Sequence, residues 1–204
     1  MKGIKRFLKA HSFTKTFFLL CLITTQVRAF DALITTDSTI RRDPKKNYLE
    51  MQYLVRDSKG PYKADEKKTV KGVIIKIMNE KNYLVATYFT AKNGKCEFRL
   101  PLDKKFTLLI SKTGYVTKIV EVSTIVPKEV NAAFVFPADI AIFQVVEGLN
   151  TSVLNKPVAK VQFNTIQKDF QYDIVYTNRV NGELKKMYKE YYTLKRQEGK
   201  KKKD

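Results

Sequence analysis

The side chains with the clearest capacity for chemistry are cations that gather near the end of the 204-residue chain. The cluster contains eight lysines and one arginine: Lys185, Lys186, Lys189, Lys195, Arg196, Lys200, Lys201, Lys202 and Lys203. Ammonium and guanidinium groups donate hydrogen bonds and attract negative charge. We therefore predict that these nine residues bind an anion or an acidic partner.

The net charge of the chain points in the same direction. It is +19, and residues 1–29 hold six of the positive charges and no acid, which leaves +13 for the remainder. A surface of this kind favours anionic partners. An excess of lysine that only keeps the protein soluble is the alternative explanation.

Catalysis or metal binding by histidine is excluded for most of the chain. The single histidine, His11, lies in an N-terminal segment that we expect to be removed. The remainder then has no Ser-His-Asp triad, Cys-His pair or HExxH zinc site. Six acidic residues show no pairing motif: Asp103, Glu121, Asp139, Glu147, Asp169 and Asp173. We predict that the protein is not an enzyme and uses no metal or cofactor, with a carboxylate pair that meets only in space as the open alternative.

Residues 1–29, "MKGIKRFLKAHSFTKTFFLLCLITTQVRA", combine a cationic start, a short apolar run and a Val27-Arg28-Ala29 ending. This pattern is typical of a secretory signal peptide, and the apolar run is shorter than the roughly 20 residues of a membrane span. We predict cleavage after Ala29 and export to the periplasm, the outer membrane or the exterior. An uncleaved anchor and a lipoprotein acylated at Cys21 are the alternatives.

Residues 30–68 are mostly polar and charged, which predicts a leader or linker, with order beginning near Thr69. The one apolar patch of this segment, "YLEMQYLV", is compatible with an edge strand.

Residues 69–124 alternate apolar and polar side chains with period two, which predicts β-strands. The residues expected to face the core are Val73, Ile75, Ile77, Cys96, Phe98, Leu100, Leu102, Phe106, Leu108 and Ile110. The stretch "YLVATYFTA" is apolar on both faces, as in a central strand. Asn93-Gly94 predicts a hairpin turn, and Thr113-Gly114 predicts a turn in the next connection. Five short strands in about 55 residues indicate an all-β fold, an antiparallel β-sandwich. Within it, Cys96 is expected to be a buried, inert thiol.

The segments "VKGVI" and "NGKCEFRLPLDKKFTLLISKTGYVTKIVEVST" resemble the carboxypeptidase regulatory-like domain, a small β-sandwich of the transthyretin or prealbumin type. The most specific part of the resemblance is the K-x-G-Y element from Lys112 to Tyr115. The resemblance covers residues 69–124 and extends to the copies found in envelope proteins of Bacteroidetes type. It implies a non-catalytic module that assists folding or mediates contacts.

The last third of the chain predicts extra strands and then a helix. Residues 125–178 hold strand-like apolar pieces at 132–136, 140–146, 158–163 and 172–176, with Pro137 marking a strand edge or break. In residues 179–204 the spacing changes to three and four, which predicts a basic amphipathic α-helix and a lysine tail. Its apolar face would comprise Val180, Leu184, Met187, Tyr191 and Leu194. We expect this helix to begin near Glu183, because Gly182 weakens the first turn.

Two functions are compatible with these patterns. The first is a non-catalytic secreted or cell-envelope protein whose β-sandwich binds another envelope component. The second is a basic protein that binds lipopolysaccharide, an anionic glycan or an acidic protein through its C-terminal helix and tail. Export argues against nucleic acid as the partner, whereas peripheral membrane association is compatible with the charge. The sequence indicates no oligomeric state.

Overall fold

The computed structural model describes Asp43, residues 45–60 and residues 63–201. These residues belong to one compact unit, which spans Arg42–Asp204. The predicted signal peptide, its cleavage site and the first part of the predicted leader lie outside the described residues.

The described residues form ten β-strands, one short 3-10 helix and one long α-helix. The strands are β1 (Tyr48–Gly60), β2 (Lys63–Thr69), β3 (Ile74–Asn79), β4 (Leu84–Phe89), β5 (Lys95–Pro101), β6 (Lys105–Ser111), β7 (Lys118–Ser123), β8 (Phe134–Ile142), β9 (Ala159–Asn164) and β10 (Asp169–Tyr172). The 3-10 helix is Ser152–Asn155, and the α-helix, α1, is Ile174–Lys201. The fold is therefore mostly β with a single C-terminal helix, which confirms the predicted fold class.

The first sheet, sheet A, is organised around β1. This strand pairs in antiparallel fashion with β5 and with β2, and in parallel with β8. The pairing with β8 runs from Leu49 to Asp57, and β5 and β2 therefore share the opposite side of β1. The central position of β1 agrees with its burial, because four of its side chains face the core: Leu49, Met51, Tyr53 and Val55.

The second sheet, sheet B, contains six strands in the order β10-β9-β7-β6-β3-β4. Its pairs are antiparallel except β7 with β9, which is parallel. The five strands predicted for residues 69–124 correspond to β3 through β7. Strand β5 crosses into sheet A, so this region contributes to both layers of the sandwich.

The predicted alternation of core and surface residues is confirmed. All ten side chains expected to face the core between Val73 and Ile110 are buried. An aromatic stack joins the two layers, since the ring of Phe98 in sheet A lies 5.9 Å from Tyr53 and 4.9 Å from Tyr88 of sheet B. Aromatic contacts of this kind add to the free energy gained from burial alone.

A turn forms at Asn93-Gly94, but it is not the predicted hairpin, because β4 pairs with β3 whereas β5 pairs with β1. Gly94 packs directly against β1. Its φ of +74° lies in the left-handed region that glycine adopts without strain. A Cβ atom at Gly94 would also come within 2.6 Å of the Val55 carbonyl oxygen. The close approach lets the Val55 N–H donate to the Gly94 carbonyl at 2.9 Å, which ties the turn to β1.

Two strand predictions are wrong. Order does not begin near Thr69, because β1 starts at Tyr48 and is the central strand of sheet A rather than an edge. Conversely, β4 is not a central strand but lies at the end of sheet B. The position of a strand in a sheet depends on pairing with distant segments, which neither the charged flanks of β1 nor the apolar pattern of β4 reveals.

The C-terminal helix begins earlier than predicted. It starts at Ile174 rather than near Glu183, so the expected strand at residues 172–176 ends at Tyr172. The reason is a helix cap, because the Asp173 carboxylate accepts a hydrogen bond from the Tyr176 N–H at 2.9 Å. Tertiary packing then outweighs the weak helix propensity of Gly182.

The predicted apolar face of α1 packs on the sandwich. Val180, Leu184, Met187 and Tyr191 are buried, and Leu194 is half-buried. At the end of β8, the ring of Phe143 lies 4.7 Å from Tyr191 and 5.2 Å from Tyr188.

Strand β8 passes through Pro137 without a break, and within the described residues it pairs only with β1. It is therefore an edge strand, where proline is tolerated.

We predict that Phe98→Ala lowers the free energy of unfolding by about 3–5 kcal/mol, because it empties the aromatic stack between the sheets. Phe89→Ala is the matched control, since that phenylalanine is 63% exposed on β4 and should cost less than about 1 kcal/mol. Urea unfolding of both variants measures the difference. Equal losses would contradict the packing described here.

Candidate functional site

The nine predicted cations lie on α1 and on the residues that follow it. Six of them have described side chains, and all six are exposed: Lys185, Lys186, Lys189, Lys195, Arg196 and Lys200. The side chains of Lys201, Lys202 and Lys203 lie outside the described residues, so their role stays a prediction.

Four of the exposed cations form a continuous stripe along α1. At 100° per residue, Lys185, Lys189, Arg196 and Lys200 fall within an arc of about 60°, over a length of about 22 Å. The buried face of α1 lies roughly opposite, so the stripe faces solvent. Lys195 lies off this stripe and donates to the Tyr191 hydroxyl at 2.9 Å. We call the four residues the cation stripe.

A second surface feature is the exposed side of β4. Within the described residues, β4 pairs only with β3, so the backbone groups on its other side have no strand partner. Its apolar side chains are also exposed: Tyr83, just before the strand, and Leu84, Val85 and Phe89. We call these four residues and the adjoining backbone the β4 edge.

The neighbouring edge of sheet A has a different character. Strand β5 of sheet A lies close to β4 of sheet B. Its outward side chains are all exposed: Lys95, Glu97 and Arg99. The Arg99 Nε donates to the Glu50 carboxylate at 3.0 Å, and its guanidinium lies 4.3 Å from the Tyr48 ring centroid. Charged side chains on an edge strand oppose pairing with another chain. Strand β5 is therefore protected against pairing with another chain, whereas β4 is not.

A cleft of about 630 Å³ opens between the two edges. Aromatic rings line part of it, and the charged residues at its wall are four cations and two acids: Lys81, Arg99, Lys104, Lys105, Glu80 and Asp103. We call it the β4 cleft. Its charge is positive on balance and would suit an acidic occupant.

A third feature lies at the opposite side of the sandwich, under α1. A half-open cavity of about 400 Å³ is lined by residues of β1, β7, β8, β9, β10 and α1. Its walls are largely apolar and include Val120, Ile140, Val158 and Leu184. We call it the α1 cavity.

Lys118 is the notable residue of the α1 cavity, because it is a lysine with only 6% of its surface exposed. Its Nζ donates to the Tyr188 hydroxyl at 3.2 Å, and no carboxylate in the described part of the chain pairs with it. Burial lowers the pKa of Lys118 from its ordinary value of 10.5 to about 8. Burial also raises the pKa of Tyr188, to about 12.

Two more polar residues, Thr177 and Asp139, line the same cavity. The Oγ1 atom of Thr177 is buried and has no hydrogen-bond partner among the described residues. Asp139 reaches the cavity from β8, but it forms an ion pair with the Arg56 Nε at 2.8 Å. The carboxylate of Asp139 is therefore already neutralised, and Lys118 carries the unbalanced charge.

Our sequence reasoning missed Lys118, although the signal was present. In "KIVEVS" Lys118 is in phase with Val120 and Val122, which are both buried. A lysine on the buried face of a strand is unusual, because an unpaired ammonium is costly to bury. The period-two pattern alone therefore marked this residue as a candidate.

The acidic residues singled out in the sequence serve mainly structural roles. Glu121 pairs with Lys160 at 2.6 Å, Asp139 pairs with Arg56, and Asp173 caps α1. Among the residues that the structure describes, no group of three His, Cys, Asp or Glu side chains is placed to hold a metal ion. The same part of the chain contains no helix with the length and apolar character to cross a membrane.

Cys96 is buried in the core as predicted, and burial raises the pKa of its thiol to about 11. Since the thiolate is the reactive form, this thiol is inert at neutral pH.

Comparison with known proteins gives only distant structural similarity. No protein-family model matches the sequence, and no curated protein matches it. Over 48% of its length the chain is similar to 18% of the Bacillus anthracis TIE protein, at 17% identity and a TM-score of 0.39. The same share is similar to 31% of the full-length major pilin SpaD from Corynebacterium diphtheriae, at 16% identity and a TM-score of 0.35.

A third similarity is to an enzyme. Over 56% of its length the chain is similar to 58% of catechol 1,2-dioxygenase from Acinetobacter sp. ADP1, at 14% identity and a TM-score of 0.34. The chain thus matches less than two thirds of each of these three proteins. At such TM-scores these similarities assign neither an activity nor a partner to the chain.

We predict that Lys118→Met stabilises the protein at neutral pH, and that the gain shrinks as the pH rises. Between about pH 8 and pH 10.5 the unfolded lysine binds a proton that the folded one releases, so wild-type stability rises relative to the variant. Below pH 8 the pH-dependent part of the difference is fully present, and it amounts to roughly 3 kcal/mol at about 1.4 kcal/mol per pKa unit. Urea unfolding at pH 7 and about pH 10 measures it.

Other charged or ionisable groups also lie near Lys118, but they are common to both proteins. They are Tyr53, Tyr172, Tyr188 and the Arg56–Asp139 pair. Their contributions largely cancel in the difference between wild type and variant. Lys76→Met, at an exposed lysine of β3, is the matched control and should show no such pH dependence. A stability difference for Lys118→Met that does not change with pH would refute the burial of a charged amine.

Proposed function

We propose that the protein is a non-catalytic interaction module of the cell envelope, and that it binds another envelope protein through the β4 edge. An extended segment of the partner would add a strand beside β4, a mode in which backbone hydrogen bonds supply affinity and side-chain pockets supply specificity. The observation that carries the proposal is the combination of open backbone groups and exposed apolar side chains on one strand.

The contrast between the two neighbouring edges strengthens this interpretation. A long apolar edge is an aggregation hazard that natural proteins usually blunt with charge. The chain uses this device on β5, with Lys95, Glu97 and Arg99, but β4 carries Leu84, Val85 and Phe89 instead. A docking function gives a reason for the difference.

The chemistry of the β4 cleft favours an acidic partner over a second copy of the chain. Four cations and two acids line the cleft, and the whole chain has a net charge of +19. Two copies would bring like charges together at this edge, which is unfavourable. A partner strand with acidic side chains at its ends would meet the cations and cover the apolar residues.

The location of the protein in the envelope rests on its sequence. The pattern of residues 1–29 predicts export, and the resemblance of residues 69–124 to carboxypeptidase regulatory-like domains implies a module that mediates contacts. The absence of histidine beyond His11 argues for binding rather than hydrolysis.

The cation stripe favours a second candidate function, which is binding of an anionic glycan or lipopolysaccharide. A row of four cations about 22 Å long, without an acid inside its arc, presents a line of positive charge to a linear polyanion. The predicted lysine tail at residues 200–203 would extend the row.

We predict that a photo-crosslinking amino acid at position 89 traps a partner protein in envelope fractions, because Phe89 lies on the β4 edge. Ile166 is the matched control, since this apolar residue is also exposed but lies between β9 and β10. Val85→Glu should reduce the trapping at position 89, because the added carboxylate opposes both strand pairing and an acidic partner. Mass spectrometry of the adduct identifies the trapped segment.

Three outcomes would reject docking of an acidic partner at β4. Equal adducts at positions 89 and 166 would indicate random collisions. An adduct between two copies of the chain would indicate self-association. A trapped segment that is basic or helical would contradict the proposed strand addition.

We predict that replacing Lys185, Lys189 and Arg196 with glutamine weakens binding to heparin at least tenfold at low salt. It should also flatten the salt dependence, because attraction between exposed charges is screened beyond about 8–10 Å at ordinary ionic strength. The matched control replaces three other exposed lysines, Lys76, Lys92 and Lys95, with glutamine. Equal weakening in both triple variants would show that net charge alone attracts heparin and would remove the second candidate function.

A further inference from the structure

We propose that the α1 cavity binds a small apolar monocarboxylate, with Lys118 as the counter-charge for the ligand carboxylate. This site is separate from the β4 edge and from the cation stripe, so the inference does not depend on the proposed function. Three properties of the cavity lead to it: its size, its unbalanced charge and its unused hydroxyl group.

The size and lining of the cavity suit a small organic molecule. Its volume of about 400 Å³ lies within the range of about 300–1,000 Å³ that is common for ligand sites. Val120, Ile140, Val158 and Leu184 supply apolar walls from three strands or loops and from α1. Sites of this kind usually combine such walls with a few polar groups that orient the ligand.

The unbalanced positive charge in the cavity, which belongs to Lys118, favours a ligand with one negative group. The Lys118 ammonium is buried, and its hydrogen-bond partner is the neutral hydroxyl of Tyr188 at 3.2 Å. The carboxylate of Asp139 already pairs with Arg56 at 2.8 Å. A buried charge without a counter-ion is unfavourable, and a carboxylate that enters the cavity would relieve this cost. With a pKa of about 8, the amine is mostly protonated at neutral pH.

The hydroxyl of Thr177 supplies the third argument. Thr177 lines the cavity, and its buried Oγ1 atom has no partner among the described residues. Buried polar groups are nearly always hydrogen-bonded, so an unsatisfied one points to a group that is bound there. A carboxylate has two oxygens and can accept hydrogen bonds from an ammonium and a hydroxyl together.

These properties narrow the class of ligand. A phosphate ester or a sulfated sugar carries more charge and more hydroxyl groups than one lysine and apolar walls can satisfy. An alkyl or aryl chain with one carboxylate matches both parts of the site. Decanoate is a suitable probe because its chain is apolar and its charge is single.

The experiment measures binding of decanoate to the full mature protein by isothermal titration calorimetry at pH 7. Decanol, which has the same chain without charge, is the control ligand. We expect saturable binding of decanoate, at least tenfold weaker binding of decanol, and a loss of at least tenfold for decanoate in Lys118→Met. Loss of a charge-assisted hydrogen bond gives changes of this size. Lys76→Met should bind decanoate as wild type does.

A second variant keeps Lys118 and removes the space. Ala159 lines the cavity on β9, and Ala159→Phe would fill part of it. This variant should lose decanoate binding, and it decides the matter if Lys118→Met does not fold. The proposal is overturned if wild type shows no saturable binding, if Lys118→Met binds decanoate as tightly as wild type, or if Ala159→Phe binds it unchanged.

Discussion

The pairing of β1 with three other strands is the interaction on which the architecture depends. Strands β2, β5 and β8 each pair with β1, and within the described residues none of them pairs with another strand. Leu49, Met51, Tyr53 and Val55 bury the inner face of β1 against sheet B. Sheet A therefore exists only through this one strand. Because β1 fixes β5 at the mouth of the sandwich and β8 beneath α1, it also sets the position of the β4 cleft and the α1 cavity.

Much of the sandwich could be predicted because local patterns decide it. The alternation around Phe98, Leu100, Phe106 and Leu108 fixes which side chains face inward, since a shift of one residue would expose them all. The turn at Asn93-Gly94 likewise depends on a local preference, because Gly94 adopts its left-handed backbone without strain. These features need no knowledge of the rest of the chain.

What could not be predicted depends on pairing between distant segments. The apolar stretch of β4 fits a central strand equally well, and only its place at the end of sheet B makes it an exposed edge. The charged residues on either side of β1 favour a leader or linker, although β1 itself packs in the core. The start of α1 depends on the cap at Asp173, which we read as part of a strand region. The residues that line the α1 cavity are spread along the chain from Tyr53 to Tyr188, so no short motif predicts the cavity. Lys118 alone could be predicted, because it alternates in phase with the buried valines of β7.

The parallel pairing of β1 with β8 also has a kinetic consequence. Its register places Leu49 beside Phe134, 85 positions later, and a parallel pair requires such a crossover. Contacts between distant residues slow folding, because the loop entropy must be lost before the contact stabilises anything. Sheet A cannot be completed until residue 142 is available, whereas the β3–β4 hairpin can form early. Sheet A of a nascent chain would thus stay incomplete until most of the chain has been synthesised.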